Sequence, residues 1–439
     1  MRPQQPYPSK TAARRGVLAT TAVVLIALVL SALAIRQGDT PQQPRTAKAP
    51  VWTGAWGTAV QRPVKGSEDW GPNWSRRGFA NQSVRQVVRV STGGSSLRIR
   101  LSNRYGTAPL RITAATVGRS AGGAQVWPDT TQQLTFHGAQ GTTIAPGRNV
   151  VSDAEPLSIS ALEKLTVTLY FAERTGPATF HRFTTATSYR ASGRHLWGTG
   201  SGVFTSSTHA WYFLSGIEVS GPASPKRGTV AVFGDSLVDG TGATPGADNR
   251  FTDKLTERLV AARRPSALHN AGIGGNRLLN SSPCYGDKAT DRFRRDVLTR
   301  PGVRTVIIHL GANDIGAPAM GDPCMGSAPR VTARQLVEGY KKLIRAAHAR
   351  GIKVMGATIL PLKGALFPVY SERGERVRAA VNQWIRTSGA YDSVLDVDHA
   401  LADPNDPARP RLAYVSQDGL HPNEAGAHAL ASAVDLNAL

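Results

Sequence analysis

Four short segments of the chain carry polar residues of the types used in nucleophilic catalysis. The first is Gly234-Asp235-Ser236-Leu237, and the others are 270–276 (NAGIGGN), 311–314 (GAND) and 418–422 (DGLHP). A serine hydroxyl is a weak nucleophile near neutral pH and needs an adjacent base, most often a histidine. Each segment alone is compatible with an ordinary turn after a strand. Together they indicate acyl-transfer chemistry at a serine.

The elements around these segments alternate between strands and helices. Apolar runs predict strands at 229–233, 303–310 and 352–359, and amphipathic patterns predict helices near 250–264, 331–349, 371–388 and 423–435. Near-continuous apolar strands separated by helices predict an α/β fold, a doubly wound parallel sheet covered on both faces. Ligands bind beyond the carboxyl ends of such strands, and Ser236 lies at the carboxyl end of the first one.

In this order and at strand ends, the four segments resemble the four blocks of the SGNH/GDSL hydrolase superfamily, which supply Ser, Gly, Asn and His. The resemblance covers roughly residues 228–437, about half of the chain. Within the family, the layout looks most like secreted bacterial esterases with a β-rich domain ahead of the hydrolase, a subgroup placed with an esterase of a xylanase gene cluster. The resemblance implies a flavodoxin-like sheet and ester hydrolysis without a cofactor.

The resemblance also implies roles for individual residues. Ser236 would be the nucleophile, His421 its base, and Asp418 the group that orients His421 and stabilises its imidazolium. The D-x-x-H spacing puts the last two on one loop, which fixes their relative geometry locally. The motif is not G-x-S-x-G, so the nucleophile elbow of α/β-hydrolases is not supported.

An oxyanion hole would be formed by the backbone N–H groups of Ser236 and Gly275 and the side-chain amide of Asn313. The second segment reads G-I-G-G-N, so Gly274 is an alternative donor. The distance of Gly275 from Asn270 fits the family better.

Other polar residues near these segments have structural interpretations. Asp235 is expected to bond its own turn, Asp314 to cap or form a turn, His309 to lie in the core and His428 on the surface. The cluster 396–399, with Asp396, Asp398 and His399, lacks a further spaced ligand, so we predict a loop rather than a metal site.

Residues 51–222 have a different pattern. Apolar and polar residues alternate at 97–101 (LRIRL) and 165–169 (LTVTL), which predicts half-buried strands and an antiparallel β-sandwich. Seven of the eight tryptophans precede residue 223. Trp52, Trp56, Trp70 and Trp74 flank a Gly/Pro-rich segment and are candidates for a substrate subsite or an interdomain contact. Core filling is the competing interpretation.

The N-terminus indicates export. Basic residues precede an uncharged, mostly apolar run at 16–35, long enough to span a bilayer with the C-terminal side outside. Residues 1–36 therefore form either a cleaved signal peptide or a single-pass anchor, followed by a linker (37–50), the β-rich domain (51–222) and the hydrolase domain (223–439). The two cysteines, Cys284 and Cys324, are expected to pair outside the cytoplasm.

Composition narrows the function classes. The net charge is +22, but no basic block or nucleic-acid motif is present, so we predict no nucleic-acid partner. The leading prediction is an extracytoplasmic serine esterase acting on O-acyl, including acetyl, esters of small molecules or polysaccharides. A lipase or lysophospholipase, or an acyltransferase with the same site, remains an alternative. A non-catalytic carbohydrate-binding protein is disfavoured because Ser236, Asp418 and His421 are all present. The sequence does not predict acyl-chain length or oligomeric state.

Overall fold

The N-terminal half of the described chain consists of strands joined by turns. The computed structural model describes residues 50–66, 71–222, 228–264 and 266–439. The predicted apolar segment 16–35, almost all of the linker, Trp70 and the start of the predicted hydrolase domain at 223–227 lie outside these ranges. The strands of this half are β1 Thr53–Gly57, β2 Gln82–Arg89, β3 Ser96–Ser102, β4 Leu110–Ile112, β5 Ala114–Gly122, β6 Gln125–Val126, β7 Gln132–Leu134, β8 Thr142–Ile144, β9 Asn149–Val151, β10 Lys164–Phe171, β11 Phe180–Arg182, β12 Ser188–Ser192, β13 Ser206–Thr208, β14 Ala210–Tyr212 and β15 Leu214–Ser220.

These strands form two main antiparallel sheets. One has the order β1-β15-β3-β9, and the other has β13-β12-β2-β10-β5-β6 with β7 also paired to β5. Alternation decides which side chains turn inward: Leu97, Ile99 and Leu101 of β3 are buried, whereas Arg98 and Arg100 are half-buried. Residues of both sheets share one hydrophobic core. The predicted antiparallel β-rich architecture is confirmed, and we call this part the β-rich domain.

The C-terminal half alternates strands and helices. Its strands are β16 Thr229–Gly234, β17 Ala267–Gly272, β18 Val303–His309, β19 Lys353–Ala357, β20 Ser393–Leu395, β21 Ala402–Asp403 and β22 Asp406–Pro410. Its α-helices are α1 Ser236–Asp239, α2 Phe251–Ala261, α3 Ala289–Phe293, α4 Ala312–Met320, α5 Ala333–His348, α6 Glu372–Thr387, α7 Val397–Leu401 and α8 Glu424–Ala433, and a π-helical turn at Arg294–Leu298 follows α3.

A five-stranded parallel sheet with the order β17-β16-β18-β19-β20 forms the centre of this half. Numbered along the domain, the order is 2-1-3-4-5, which is the flavodoxin-like arrangement, so this prediction is confirmed. The switch point lies between β16 and β18, and Ser236 directly follows β16. We call this part the hydrolase domain.

The helices form because each buries one apolar face. In α5, Thr332 caps the first turn by accepting a hydrogen bond from the Gln335 N–H, and the buried side chains recur every three or four residues. In β16 every residue is buried, as expected for a central strand covered on both faces.

The two domains belong to one compact unit, residues 51–439. Arg300 of the hydrolase domain donates hydrogen bonds to the carbonyl oxygens of Thr58 and Ser215 in the β-rich domain. Across the same contact, the Leu268 N–H donates to the Ser91 hydroxyl at 2.8 Å. Direct hydrogen bonds between buried and half-buried groups therefore join the two domains.

A disulfide joins Cys284 and Cys324, with 5.0 Å between their Cα atoms. No helix in the described ranges has both the length and the apolar composition needed to cross a lipid bilayer. Within those ranges, no group of three or more His, Cys, Asp or Glu side chains could hold a metal ion.

Candidate active site

Ser236 is placed by a tight exit from β16. An ideal Cβ on Gly234 would lie 2.4 Å from Val238 Cγ2 and 2.5 Å from the His309 carbonyl oxygen, so only glycine fits there. Asp235 precedes α1 and its Oδ1 accepts a hydrogen bond from the Leu237 N–H at 3.3 Å, as predicted. Ser236 begins α1 and is half-buried.

His421 connects Ser236 to Asp418. Its Nε2 lies 2.8 Å from Ser236 Oγ and its Nδ1 lies 2.5 Å from Asp418 Oδ2. The other carboxylate oxygen of Asp418 accepts hydrogen bonds from the backbone N–H groups of Leu420 and His421. The ring of Phe367 stacks on the imidazole with 6.2 Å between ring centroids. The structure thus brings the three predicted residues into one hydrogen-bonded chain.

The charge of Asp418 is stabilised by this arrangement. Burial acts to raise the pKa of its carboxyl, but the hydrogen bond and charge of His421, together with the two backbone N–H groups, lower the pKa further than burial raises it. The pKa is held well below its usual range. Asp418 is therefore an anion at neutral pH, beside the imidazole nitrogen that faces away from Ser236.

The two glycines in the loop after β17 differ in their hydrogen bonds. The Gly274 N–H donates to Asp239 Oδ2 at 2.7 Å and is already used. The Gly275 N–H has no hydrogen-bond acceptor among the described residues. The Ile273 N–H donates to the Gly234 carbonyl oxygen at 3.2 Å, which places this loop beside the turn that carries Ser236. Gly275 is thus the donor that remains available.

Gly275 also has a conformation and a setting that require glycine. Its φ is +73°, and an ideal Cβ would lie 2.5 Å from Cγ of Tyr285. An ideal Cβ on the neighbouring Gly274 would lie 2.9 Å from Cδ2 of Phe183, which belongs to the β-rich domain. The two-glycine loop therefore runs between two aromatic rings, one from each domain.

Asn313 lies in the first turn of α4, after Gly311 at φ +107°. Its side-chain amide donates one hydrogen bond to the Asn276 carbonyl oxygen at 3.1 Å, next to Gly275 in the chain. A primary amide has two hydrogens, so one remains for a ligand. The predicted donors from Gly275 and Asn313 are therefore neighbours.

Arg292 is a component that sequence reasoning missed. Its fully buried guanidinium donates to the carbonyl oxygens of Gly234 and Ala271, at 2.7 and 2.8 Å, and to Asn276 Oδ1 at 2.9 Å. It lies 4.1 Å from the centroid of the Phe233 ring. Arg292 thus ties together the ends of β16 and β17. In the sequence, Arg292 is only an arginine within a short helix, and this pattern does not show which groups it contacts.

Asp314 differs from its prediction. It lies in the first turn of α4, but its carboxylate accepts hydrogen bonds from the Leu278 and Leu279 N–H groups instead of capping its own helix. Burial raises its pKa to about 6, and the two N–H donors offset part of that rise. Asp314 therefore holds the backbone at Leu278 and Leu279, just after the glycine loop.

The remaining predicted positions are structural. His309 is buried, with Nδ1 3.1 Å from Asp235 Oδ1, and His428 is exposed. Asp396 caps α7, and both Asp396 and Asp398 form ion pairs with Arg386.

Three of the four candidate tryptophans lie in the described part of the chain, and they have different surroundings. Trp74 stacks on Tyr212 within the core of the β-rich domain, with ring centroids 5.4 Å apart. Trp56 lines a small cavity together with Arg250 and Asn270 of the hydrolase domain. Trp52 lies under the guanidinium of Arg98, 4.2 Å from the ring centroid. Trp56 is thus at the interdomain contact, and Trp74 fills the core.

Comparisons with known proteins gave a family match and a set of similar solved structures. Residues 232–429 match the model of the GDSL-like lipase/acylhydrolase family. Similar solved structures include the lipase/acylhydrolase from Enterococcus faecalis (18% identity, 47% of this chain and 92% of that chain, TM-score 0.36) and the acetyl xylan esterase AlAXEase (20%, 47% and 96%, 0.36). The psychrotrophic esterase EstA from Pseudoalteromonas sp. is another (17%, 47% and 93%, 0.34). A comparison with curated protein sequences gave no match.

Proposed function

Because residues 232–429 belong to the GDSL-like lipase/acylhydrolase family of ester-hydrolysing enzymes, we propose that this protein is an extracytoplasmic serine esterase acting on O-acyl esters. The observation that carries the proposal is the hydrogen-bonded chain from Asp418 through His421 to Ser236. It ends beside a glycine loop with an available N–H donor.

In the proposed mechanism, Ser236 Oγ attacks the acyl carbonyl carbon while His421 Nε2 takes the hydroxyl proton. The bond between the carbonyl carbon and the alcohol oxygen then breaks, and His421 gives its proton to the leaving alcohol. Water attacks the resulting acyl-serine in the same way, releasing the acid and restoring the hydroxyl. Asp418 stays ionised throughout and stabilises the imidazolium.

The oxyanion formed in each half-reaction needs donors that are already in place. We assign the Ser236 and Gly275 N–H groups and the Asn313 amide to that role. The engagement of the Gly274 N–H by Asp239 supports Gly275 over Gly274. The Asn313 bond to Asn276 holds the amide at the same loop.

We propose short acyl groups, such as acetyl on a small molecule or a polysaccharide, as the substrate class. Tyr285 and Phe183 pack against Gly275 and Gly274, so the loop beside Ser236 is confined, which favours a small acyl group. An exported location is supported by the apolar run 16–35 and by the Cys284–Cys324 disulfide.

A lipase or lysophospholipase is the second candidate, favoured by one observation. Leu366 is 79% exposed, its N–H donates to the Asp418 carbonyl oxygen, and the following Phe367 stacks on His421. This exposed apolar side chain near the site offers a contact for a long acyl chain or a lipid surface.

The test compares hydrolysis of p-nitrophenyl acetate and octanoate by the protein without residues 1–36. We expect Ser236→Ala to lower kcat by about 10³-fold or more, and the exposed Ser207→Ala to leave it unchanged. A higher kcat/KM for acetate supports the short-acyl assignment, and a higher value for octanoate supports the lipase. Equal rates for wild type and Ser236→Ala would overturn the proposed function.

A further inference from the structure

A histidine of the β-rich domain is bonded to the glycine loop of the hydrolase domain. Asp239, at the end of α1, accepts the Gly274 N–H with Oδ2 at 2.7 Å. Its Oδ1 lies 2.9 Å from Nε2 of His181 on β11. The His181 Nδ1 lies 2.6 Å from the Ala59 carbonyl oxygen. The side chains of His181 and Asp239 are both only 2% exposed.

The partners determine where the hydrogens are. A carbonyl oxygen can only accept, so Nδ1 of His181 carries a hydrogen for Ala59. Nε2 faces a carboxylate oxygen, and two acceptors would repel, so a second hydrogen lies between Nε2 and Oδ1 of Asp239. Oδ2 then accepts the Gly274 N–H. Leaving either buried partner of this hydrogen bond unpaired is costly.

The hydrogen bond to Asp239 lies one peptide group before the one that carries the Gly275 N–H. The Gly275 N–H belongs to the peptide unit that joins Gly274 to Gly275. Gly274 is held on its N–H side by Asp239, and the Phe183 ring, two residues after His181, lies against its Cα. With φ +73° at Gly275, the loop has the backbone freedom of glycine and relies on these contacts for its position.

We propose that His181 is a positioning residue for ester hydrolysis: through Asp239 it fixes the 274–275 loop so that the Gly275 N–H meets the developing oxyanion. The inference rests on the proposed function. It gives the β-rich domain a part in catalysis in place of, or beside, any binding of carbohydrate.

Two substitutions separate positioning from packing. His181→Phe removes both N–H donors but retains a ring to stack on Trp211, which lies 5.7 Å away between centroids. His181→Gln retains a donor that can reach Asp239. Glu257→Gln is the matched control, because it breaks another ion pair across the domains, with Arg89 at 2.8 Å, without touching the loop.

The measurements are kcat and KM for p-nitrophenyl acetate, with active sites counted by a p-nitrophenyl phosphonate, and the thermal unfolding temperature. Small displacements of catalytic groups cost up to about 100-fold in rate. We expect His181→Phe to lower kcat per active site by about tenfold or more with little change in KM, His181→Gln to recover most of it, and Glu257→Gln to match wild type.

Two results would overturn the inference. One is a wild-type kcat per active site in His181→Phe, with only a lower unfolding temperature. The other is an equal loss in the Phe and Gln variants. If His181→Phe does not fold, His181→Asn replaces it, since its shorter amide cannot reach Asp239 from the same backbone. Failure of the proposed function is distinct, because Ser236→Ala would then equal wild type.

Discussion

The three residues of the proposed triad, Ser236, His421 and Asp418, are held mostly by local hydrogen bonds. The Asp418 carboxylate accepts hydrogen bonds from the backbone N–H groups of Leu420 and His421, so the loop fixes its own geometry. Asp235 likewise bonds the first turn of α1 after Ser236. By contrast, the groups that would stabilise the oxyanion come from separate elements and are held by contacts distant in sequence.

Removing the Asn313 side chain tests whether a donor from a separate element contributes to the proposed oxyanion hole. Asn313→Ala deletes the side-chain amide, and the loss of one oxyanion donor costs about 10²–10³-fold in kcat. We expect KM for p-nitrophenyl acetate to change little, because the donor acts chiefly on the transition state. Steady-state kinetics of wild type and Asn313→Ala measure kcat and KM.

Asn405→Ala, in the exposed turn between β21 and β22, serves as the control and should behave as wild type. The hydrogen bond from Asn313 to Asn276 contributes about 1 kcal/mol to stability, so the variant should still be folded at 25 °C. An unchanged kcat in folded Asn313→Ala would remove Asn313 from the oxyanion hole.

Residue types and local spacing made part of this site predictable. The D-x-x-H segment, the G-D-S-L turn and the G-x-N-D turn are each contained in a few residues. His181 and Asp239 could not be paired from the sequence, because 58 residues separate them and they lie in different domains. Arg292 was missed for a different reason: two of its acceptors are backbone carbonyl oxygens, which have no sequence signature.

At the level of elements, the loop after β17 is the most constrained piece of the site. It leaves the sheet at Gly272, passes between the rings of Phe183 and Tyr285, and is tied to Asn313 through Asn276. Tyr285 itself follows Cys284 of the disulfide, and its hydroxyl donates to Asp322 at 2.8 Å. A covalent link and a hydrogen bond therefore support one wall of the loop.

Gly275→Ala should disrupt this loop. Alanine at φ +73° costs about 1–2 kcal/mol in backbone strain, and its Cβ would collide with the Tyr285 ring. We expect a free energy of unfolding lowered by more than that amount, and kcat lowered at least tenfold because the N–H is displaced. Urea unfolding and ester hydrolysis provide the two measurements.

Gly389→Ala isolates the backbone contribution. Gly389 has φ +66°, and an ideal Cβ there meets nothing within 4 Å. The Gly389→Ala variant should lose about 1–2 kcal/mol of unfolding free energy through the same backbone strain, and it should keep full activity. If Gly275→Ala were no worse than Gly389→Ala in either measurement, the packing of Tyr285 on the loop would not constrain it.

The periodicity of the sequence predicted β16, β18, β19 and the helices α2, α5, α6 and α8 within a few residues, because these strands are continuous apolar runs and these helices are amphipathic. Short strands gave no such signal. Strand β20 has three residues and only one fully buried side chain, and the ribbon of β21 and β22 has no apolar repeat. Such strands are defined by pairing with neighbours, which a local pattern does not contain.

For the whole molecule, the contact between the domains contains a histidine that is held neutral. His269 on β17 is buried, and its Nε2 lies 2.9 Å from the Asp296 carbonyl oxygen, so that nitrogen carries the hydrogen. An ideal Cβ on Gly57 of β1 would lie 2.0 Å from its Nδ1, so the β-rich domain closes over the ring. Burial, with the charge of Arg300, lowers the pKa of His269 to about 3 against the opposing effect of Asp296.

This histidine should make the whole unit less stable in mild acid. Unfolded histidine titrates near pH 6.5, so between about pH 6.5 and 3 the unfolded chain binds a proton that the folded protein does not. The contribution of His269 to the free energy of unfolding is therefore complete above about pH 6.5 and is lost as the pH falls toward 3. From pH 8 to pH 5 we expect His269 to lower the free energy of unfolding by about 2 kcal/mol.

Urea unfolding of wild type and His269→Gln at pH 8 and pH 5 measures this effect. Glutamine can donate to Asp296 but does not titrate, so the drop in unfolding free energy should be smaller in the variant by about 2 kcal/mol. The exposed His428→Gln should retain the full wild-type drop. Because His269 lies between the domains, the loss should appear as one transition in which both unfold together. Equal drops in wild type and His269→Gln would mean that acid acts elsewhere in the molecule.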